Sequence, residues 1–368
     1  MARQILVATR KGLFTVEGEG RECRVADVAF VGDPVSLVCV DPRDGTRYAA
    51  LDHGHFGVKL HRSSDAGKTW EEISSPTYPE RPEGAVDKNE AGQEIPWSTK
   101  LIWALEPGGA DEPGVLWCGT IPGGVFKTVD RGDTWELVRG LWDHPARNRW
   151  FGGGADWPGV HSICVDPADS KRVFVAVSCG GVWETTDGGD TWNPRTAGMF
   201  AEYVPPELKN DEAIQDPHCM VQCHATPAAF WVQHHNGVFK STDYAVSWQE
   251  VTVPPSSFGF ATAVHPHDAN TAWFVPAVSD QKRYPVDGKV VVSRTRDGGE
   301  TFEVLRNGLP QAHAYDLVYR HALDVDATGH VVSFGSTTGT LWISEDQGDQ
   351  WRTVSKHLPP IYCVRFAE

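Results

Sequence analysis

An eight-residue string recurs six times along the chain. Its copies read SSDAGKTW (63–70), TVDRGDTW (128–135), TTDGGDTW (185–192), STDYAVSW (241–248), TRDGGETF (295–302) and SEDQGDQW (344–351). The central aspartates are separated by 65, 57, 56, 54 and 49 residues. A regular period of this length indicates a stack of similar supersecondary units, because a single unit cannot bury its apolar face alone. The chain is therefore expected to be a repeat protein.

The string has the chemistry of a tight turn between two strands. Its Asp can accept hydrogen bonds from the backbone N–H groups that follow it, and its Gly can adopt a left-handed conformation. The string resembles the Asp-box (BNR) repeat of sialidase-like β-propellers, and the resemblance covers nearly the whole chain. It implies a propeller fold but says little about function, because such boxes are structural turns.

A second repeated signal gives the number of blades. It consists of a short strand, a turn with glycine and another strand, as in FVAVSCGGVWETTD (174–187). The turn glycines are Gly12, Gly57, Gly124, Gly181, Gly237, Gly288 and Gly339. Apolar and β-branched strands at this spacing predict an all-β, seven-bladed β-propeller of four-stranded blades. We expect residues 1–368 to form a single domain, with the C-terminal strand 361–367 closing the ring as the inner strand of blade one.

The direction of the strands assigns the loops to two faces. The eight-residue strings and the first turn of each blade belong to the bottom face. The turn between the second and third strands, and the connections between blades, belong to the top face. Three of these connections are long, at about 76–99, 139–160 and 195–217, and long loops on a rigid ring commonly form binding walls or lids. The resemblance to sialidase-like propellers also implies a ligand site on the top face.

Composition excludes some classes of partner. The chain has 33 basic and 49 acidic residues, a formal charge of −16. This balance disfavours nucleic-acid and anionic-membrane partners, which require a basic face. We see no signal peptide and no apolar stretch near the length of about 20 residues that spans a bilayer. The eight cysteines lack the paired spacing of a metal knuckle, so we expect reduced thiols in a cytoplasmic protein.

The histidines concentrate on the top face. Six of them are candidate ligands of a divalent metal: His53, His55, His161, His218, His234 and His235. Neutral imidazoles bind Zn²⁺, Mn²⁺, Fe²⁺ or Cu²⁺, and three of them with a carboxylate or water make a catalytic site. The four from the adjacent blades four and five are favoured over His53 and His55. Two alternatives are a histidine general base without a metal, and histidines that only cap loops.

Further candidates come from the same loops. By similarity to seven-bladed polysaccharide lyases, the catalytic candidates are His161, His218, Arg147 and Tyr284. The candidate substrate-binding residues are Arg10, Trp97, Trp150, Trp157 and Arg283, since flat rings suit sugar faces and cationic groups suit polar ligands. The alternative for each Trp is that it pins a long loop to the ring. Of the arginines Arg10, Arg283, Arg294 and Arg320, we map only Arg10 and Arg283 to top-face turns.

The sequence does not support a sialidase. Sialidases bind the substrate carboxylate with three arginines, the first in an Arg-Ile-Pro motif that this chain lacks. We therefore expect a hydrolase or lyase that acts on a small polar or sugar-like molecule in a histidine-rich top-face pocket, and a divalent metal is its candidate cofactor. The alternative is a non-catalytic binding or assembly propeller, similar to sortilin-like and photosystem-assembly-factor-like propellers. The top-face histidine cluster favours the enzyme.

Overall fold

A computed structural model describes residues 3–367 of the chain. Its strands form seven four-stranded antiparallel sheets, each one blade of a propeller. Blades one to four contain β1 (Gln4–Thr9), β2 (Gly12–Glu17), β3 (Arg24–Ala29), β4 (Val35–Val40), β5 (Arg47–Asp52), β6 (Val58–Ser63), β7 (Glu71–Ile73), β8 (Leu101–Pro107), β9 (Leu116–Ile121), β10 (Val125–Thr128), β11 (Glu136–Leu137), β12 (Gly159–Asp166), β13 (Asp169–Ser178), β14 (Gly181–Thr185) and β15 (Asn193–Pro194).

The remaining strands complete the ring. They are β16 (Pro217–Gln222), β17 (Phe230–His234), β18 (Gly237–Ser241), β19 (Gln249–Val251), β20 (Gly259–His265), β21 (Asp268–Pro276), β22 (Val292–Thr295), β23 (Glu303–Leu305), β24 (Leu323–Val325), β25 (Val332–Gly335), β26 (Leu341–Ser344), β27 (Arg352–Ser355) and β28 (Ile361–Phe366). The predicted fold class, all-β with seven four-stranded blades, is confirmed.

Helical structure is sparse and lies outside the sheets. It consists of one short α-helix, α1 (Arg139–Trp142), and the 3₁₀ turns Gly20–Glu22, Gly54–Phe56, Pro145–Arg149, Pro206–Leu208 and Val286–Gly288. Within residues 3–367, no helix is long and apolar enough to cross a membrane. All eight cysteines are free thiols, and seven of them are buried.

The last strand closes the ring as predicted. Strand β28 pairs antiparallel with β1, and the sheet of blade one has the order β28-β1-β2-β3. The side chains of Ile361, Cys363 and Val364 on β28 are fully buried. Since β28 is the innermost strand of its sheet, the chain's two ends together supply one complete blade and leave no open edge at the axis.

The six repeated strings form one and the same turn between the third and fourth strands of blades two to seven. In each, the Asp accepts a backbone N–H bond from the residue four positions on, at 2.9–3.0 Å. The Ser or Thr two residues before the Asp donates its hydroxyl to the same carboxylate. Hydrogen bonds from hydroxyl and backbone groups lower the pKa of Asp65, Asp130 and Asp297 to about 2.

Replacing Asp187 by Ala tests the structural role of this turn. Asp187 accepts bonds from the Thr185 hydroxyl and from both the N–H and the hydroxyl of Thr191. The substitution removes the carboxylate that accepts these hydrogen bonds. The free energy of unfolding, measured by urea denaturation, should therefore fall by about 1–3 kcal/mol. The control is Asp190→Ala, because Asp190 is exposed in the same turn. The turn lies on the bottom face, so a loss of ligand binding in a folded Asp187→Ala protein would contradict the face assignment.

The seven innermost strands surround a central channel, which a hydrogen bond crosses between two blades that are not neighbours. The Nε2 of His321, from blade seven, donates a hydrogen bond to the carbonyl of His161, from blade four, across 2.7 Å. Below this bond lies a cavity of about 270 Å³, whose walls include Glu106, Asp324 and Arg365. Burial raises the pKa of Glu106 to about 7, although the Arg365 guanidinium partly opposes the shift.

The raised pKa of Glu106 predicts a pH-dependent stability. A carboxyl whose pKa rises on folding stabilises the protein below its unfolded value of about 4.3, and this contribution is lost as the pH rises through 7. The charged groups around it are Arg365, Asp324, Asp41 and Arg43. Glu106→Gln should therefore raise the melting temperature at pH 8, by about 2–4 °C, and have little effect at pH 4.

The control for this prediction is an exposed glutamate on the outer strand β11. Glu136→Gln should change the melting temperature equally at the two pH values, since Glu136 lies on the exterior. If Glu106→Gln shifted the melting temperature by the same amount at pH 4 and pH 8, the protonation state of Glu106 would not change over this range and the prediction would be wrong.

Candidate functional site

Three side chains converge at the top of blade five, where its inner strand begins. Asp216 precedes β16, His218 is its second residue, and His235 follows β17. One ligand atom from each lies within 4.8 Å of the others. The Oδ2 of Asp216 is 3.4 Å from the Nε2 of His218 and 3.4 Å from the Nδ1 of His235. Two atoms bound tetrahedrally to one zinc ion are separated by about 3.4 Å, so these spacings suit a metal.

The hydrogen bonding of His218 leaves its Nε2 facing a carboxylate. The Nδ1 of His218 lies 2.7 Å from the carbonyl of Gly259, so this nitrogen must be the donor. In the neutral imidazole the lone pair is then on Nε2, directed at the oxygen of Asp216. Burial lowers the pKa of His218, although Asp216 partly opposes the shift. Two lone pairs at this distance require a cation or a proton between them. A backbone carbonyl bonded to the far nitrogen is also the usual support of a metal-bound histidine.

The carboxylate of Asp216 is held in place from the neighbouring blade. Its Oδ1 accepts bonds from the Ser178 hydroxyl at 3.1 Å and from the Cys179 N–H at 3.0 Å, both at the top of blade four. Burial alone would raise the pKa of Asp216, but bonds and charges from His218, His235 and Arg320 keep it well below its usual value. The group is therefore an ionised, oriented carboxylate whose Oδ2 faces both imidazoles.

The long loops and their neighbours surround this cluster. The rings of Tyr203 and Phe258 lie 4.9 and 5.9 Å from the ring of His235. Phe260 stacks on His218 at 4.6 Å. Gly153, in the 139–160 connection, lies over the carboxylate, and a Cβ there would be 3.7 Å from the Oδ2 of Asp216. The site thus combines a polar ligand cluster with aromatic walls and a close backbone approach.

Two of the six predicted metal ligands, His218 and His235, lie in this cluster. His161 uses both ring nitrogens elsewhere, donating to the Pro217 carbonyl at 2.7 Å and pairing with the Ser162 hydroxyl at 2.9 Å. His234 is buried against the backbone N–H groups of Asp216 and Asn236, and burial lowers its pKa to about 3.

The other two predicted ligands are not near the cluster. His53 and His55 lie on the 3₁₀ turn of blade two, and His55 is exposed. The Nδ1 of His53 faces Asp33 at 4.0 Å. The structure therefore does not bring blade two into contact with blades four and five through these histidines.

The predicted loop residues mostly bind the loops to one another. Arg147 pairs with Asp87 at 2.9 Å and covers the ring of Trp142 at 4.0 Å. Trp97 donates to the same Asp87, and Trp157 donates to the Glu94 carbonyl. Trp150 is 1% exposed and packs on Trp183, so it cannot present its face to a substrate in this conformation. These contacts match the pinning role considered as the alternative.

The remaining candidates lie at separate places on the top face. Arg10 is exposed in the turn between β1 and β2, in blade one. The ring of Tyr284 packs against Tyr315 at 6.1 Å. Arg283 is closer to the cluster, because its guanidinium lies 5.3 Å from the centre of the Phe260 ring, next to His218.

Two residues of the site were missed at the sequence level. Asp216 forms an Asp-x-His pair with His218 at the start of an inner strand, and this short spacing was the available signal. Arg320, which was not mapped to a top-face turn, precedes β24, and its guanidinium covers Trp103, on β8, and Phe260, on β20. Its long side chain reaches the axis from a position that the turn-based mapping did not include.

Comparisons with known proteins find distant sequence relatives and solved structures with a similar fold. No family model matches the chain. A xyloglucanase of Paenibacillus sp is 24% identical over 284 residues, which are 67% of this chain and 26% of the relative. The crystal structure of the GH74 xyloglucanase from Xanthomonas campestris superposes with a TM-score of 0.63 and 16% identity, covering 96% of this chain and 52% of that chain.

A second kind of propeller also superposes. The structure of YCF48 bound to D1 peptide gives a TM-score of 0.52 and 15% identity, covering 87% of this chain and 83% of that chain. The chain thus spans about a quarter of the length of the Paenibacillus relative, but most of the length of YCF48.

Proposed function

We propose that the chain is a hydrolase or lyase that acts on a carbohydrate-like substrate at the top-face cluster, with a divalent metal bound by Asp216, His218 and His235. The observation that carries the proposal is the 3.4 Å separation of the His218 Nε2 from the Asp216 Oδ2, while the Nδ1 of His218 is bonded to the Gly259 carbonyl. A divalent cation between these atoms would be bound by both, and the third ligand atom, from His235, lies at the matching distance.

The donor set supports a catalytic site more than a closed structural one. Three protein ligands leave a coordination position open, as in catalytic zinc sites. A divalent ion in such a site polarises a substrate oxygen or lowers the pKa of a bound water. His235 is partly exposed, with 23% of its side chain accessible, so the cluster is reached by solvent at this residue.

The carbohydrate class is supported by the comparisons and by the walls of the site. The distant relatives are named as xyloglucanases. The rings of Tyr203, Phe258 and Phe260 border the cluster, and aromatic faces pack well against sugar rings.

Two measurements test this proposal. Elemental analysis and calorimetric titration with Zn²⁺ and Mn²⁺, after treatment with a chelator, should give one bound ion per chain. Release of reducing ends from a panel of neutral and acidic polysaccharides should be abolished by the chelator and restored by the metal. The matched control is His53→Ala, on the separate top-face turn of blade two, which should bind the ion like the parent. A chain that binds neither ion, or cleavage that is insensitive to the chelator, would contradict the metal-dependent enzyme.

A non-catalytic binding propeller is the second candidate. It is favoured by the near full-length superposition with YCF48, whose structure holds a D1 peptide. Such a propeller would bind an extended peptide on the ring without turnover. Stoichiometric metal binding and catalysis favour the first candidate, whereas peptide binding that is unchanged in the metal-site variants favours the second.

A further inference from the structure

The cluster of Asp216, His218 and His235 is nearly closed to solvent. The side chains of Asp216 and His218 are only 6% and 3% accessible, and that of His235 is 23% accessible. A Cβ built on Gly153 would be 3.7 Å from the Asp216 Oδ2 and 2.5 Å from the Cys179 Sγ, so this glycine lies directly over the carboxylate. An ion or a substrate group that contacts all three side chains must therefore pass a covering segment.

The part of this cover that lacks hydrogen bonds is the glycine segment, residues 152–155 (Gly-Gly-Gly-Ala). Within residues 3–367, no N–H or carbonyl group of these four residues is bonded to another group. Gly153 and Gly154 are also exposed. Glycine has the widest range of backbone conformations, so three in a row that are not bonded to the fold can be displaced at little cost in free energy.

Both ends of the glycine segment are attached to the fold. On its N-terminal side, the Phe151 N–H donates to the Cys179 carbonyl at 3.3 Å. On its C-terminal side, the Asp156 carbonyl accepts a bond from the Gln93 side chain at 2.6 Å. A flexible middle between two fixed ends can open and close again without leaving the site.

The other walls of the cluster are fixed. The Tyr203 hydroxyl donates to the Ile214 carbonyl at 2.8 Å. The Phe258 carbonyl accepts a bond from the Ala277 N–H at 2.8 Å, and Phe260 lies within β20. Moving any of these walls would break a hydrogen bond or disturb a sheet, whereas moving the glycine segment does neither.

We propose that the glycine segment is a gate, which opens to admit and release the ligands of Asp216, His218 and His235. In the closed state Gly153 covers the Asp216 Oδ2, and in the open state this oxygen and the His218 Nε2 are exposed. The gate is independent of the proposed function, because it governs access to the cluster whichever ligand binds there. A ligand enclosed by the closed segment would be kept from bulk water.

The thiol of Cys179 reports the opening, because it lies beneath Gly153 and is 3% exposed. Burial raises the pKa of this thiol, so it should react with N-ethylmaleimide only when the segment opens. Cys118 on β9 and Cys363 on β28 are 0% exposed, so they report unfolding of the blades. We expect Cys179 to be modified about tenfold or more faster than these two, measured by peptide mass spectrometry. Equal rates would contradict the gate.

Gly153→Ala should displace the gate from its closed position. Its Cβ would be 2.5 Å from the Cys179 Sγ, so Cys179 should be modified about tenfold faster than in the parent. Gly154→Ala is the matched control and should leave the rate unchanged, because the nearest atom to its Cβ is 4.0 Å away, on Arg320. An unchanged rate in Gly153→Ala would overturn the proposal. An equal rise at Cys118 would assign the effect to unfolding and also overturn it.

A reversible cross-link tests the gate from the closed side. In Gly153→Cys the new Cβ would be 2.5 Å from the Cys179 Sγ, near the distance of about 3 Å between a Cβ and the opposite sulfur of a disulfide. Oxidised glutathione should form this disulfide by accepting the two electrons and two protons of the thiols. In the chelator-treated protein, the locked segment should slow acylation of the His218 Nε2 by diethyl pyrocarbonate about tenfold or more, and dithiothreitol should restore the rate.

His53 is the internal control for the cross-link. It is 25% accessible on blade two, so its acylation should not depend on the disulfide. A disulfide that does not form, or acylation of His218 at one rate in the oxidised and reduced forms, would overturn the gate. The proposed function fails in other measurements: a gated chain that binds neither Zn²⁺ nor Mn²⁺ would contradict the metal site and leave the gate standing.

Discussion

A chain that ends after Pro360 should not form a stable propeller. The deletion removes β28, which contributes the buried side chains Ile361, Cys363 and Val364 and the backbone partner of β1. Burying an Ile or Val side chain contributes about 1.5–3 kcal/mol each, and the deletion also exposes an inner strand edge. Since a whole domain is stable by only about 5–15 kcal/mol, we expect the cooperative thermal transition to disappear, as measured by circular dichroism and calorimetry.

A complementation experiment separates closure from a general effect of truncation. A synthetic peptide of residues 359–367, added to the truncated chain, should restore a cooperative transition by adding the missing strand. The same peptide with Val364→Asp should not, because Val364 is fully buried against the core that includes Ile5 and Val7. A truncated chain that melts within a degree or two of the parent would contradict ring closure by β28.

Under the proposed function, the Asp216→Asn substitution should weaken metal binding while leaving the fold intact. Asn has nearly the same shape, and its amide oxygen can still accept the bonds from Ser178 and Cys179. It lacks the negative charge that faces His218 and His235, however, so Zn²⁺ or Mn²⁺ should bind about a hundredfold or more weakly, measured by calorimetry. Catalysis on any substrate found in the polysaccharide panel should fall with it.

The control is Asp156→Asn, in the neighbouring 139–160 connection and with an exposed side chain. It should bind the ion like the parent. Metal binding that survived in Asp216→Asn, with an unchanged melting temperature, would show that the ion binds elsewhere. A melting curve shows whether Asp216→Asn has lost the fold. In that case His235→Ala is the second variant, because His235 is partly exposed and its replacement should disturb the packing less.

The fold could be predicted because its signal is local and repeated. Each eight-residue turn contains both its Asp acceptor and the donors that bond to it. The hydrogen bond between Asp187 and Thr191 can therefore be predicted without knowledge of the rest of the chain. Ring closure was also predictable, because blade one had only three strands of its own and a ring disfavours an open edge.

The candidate site was only partly predictable because its geometry comes from different blades. The position of His218 and His235 on the top face follows from the repeat. The function of Asp216 does not, since it depends on Ser178 and Cys179 from the neighbouring blade. His161 lies at a comparable strand start, but its two nitrogens are used by the backbone and by Ser162. The position of a histidine in the repeat predicts whether it lies on the top or the bottom face. Whether its ring nitrogens are already hydrogen-bonded can be seen only from the contacts in the structure.

The hydrogen bond between His321 and His161 has a kinetic consequence. It joins blade seven to blade four across the axis, above the central cavity. Because blades four and seven are not neighbours in the ring, the bond ties together two parts of the fold that no sheet connects. Separating these two blades must break this bond as well as the contacts between adjacent sheets, so the bond is expected to slow the opening of the ring.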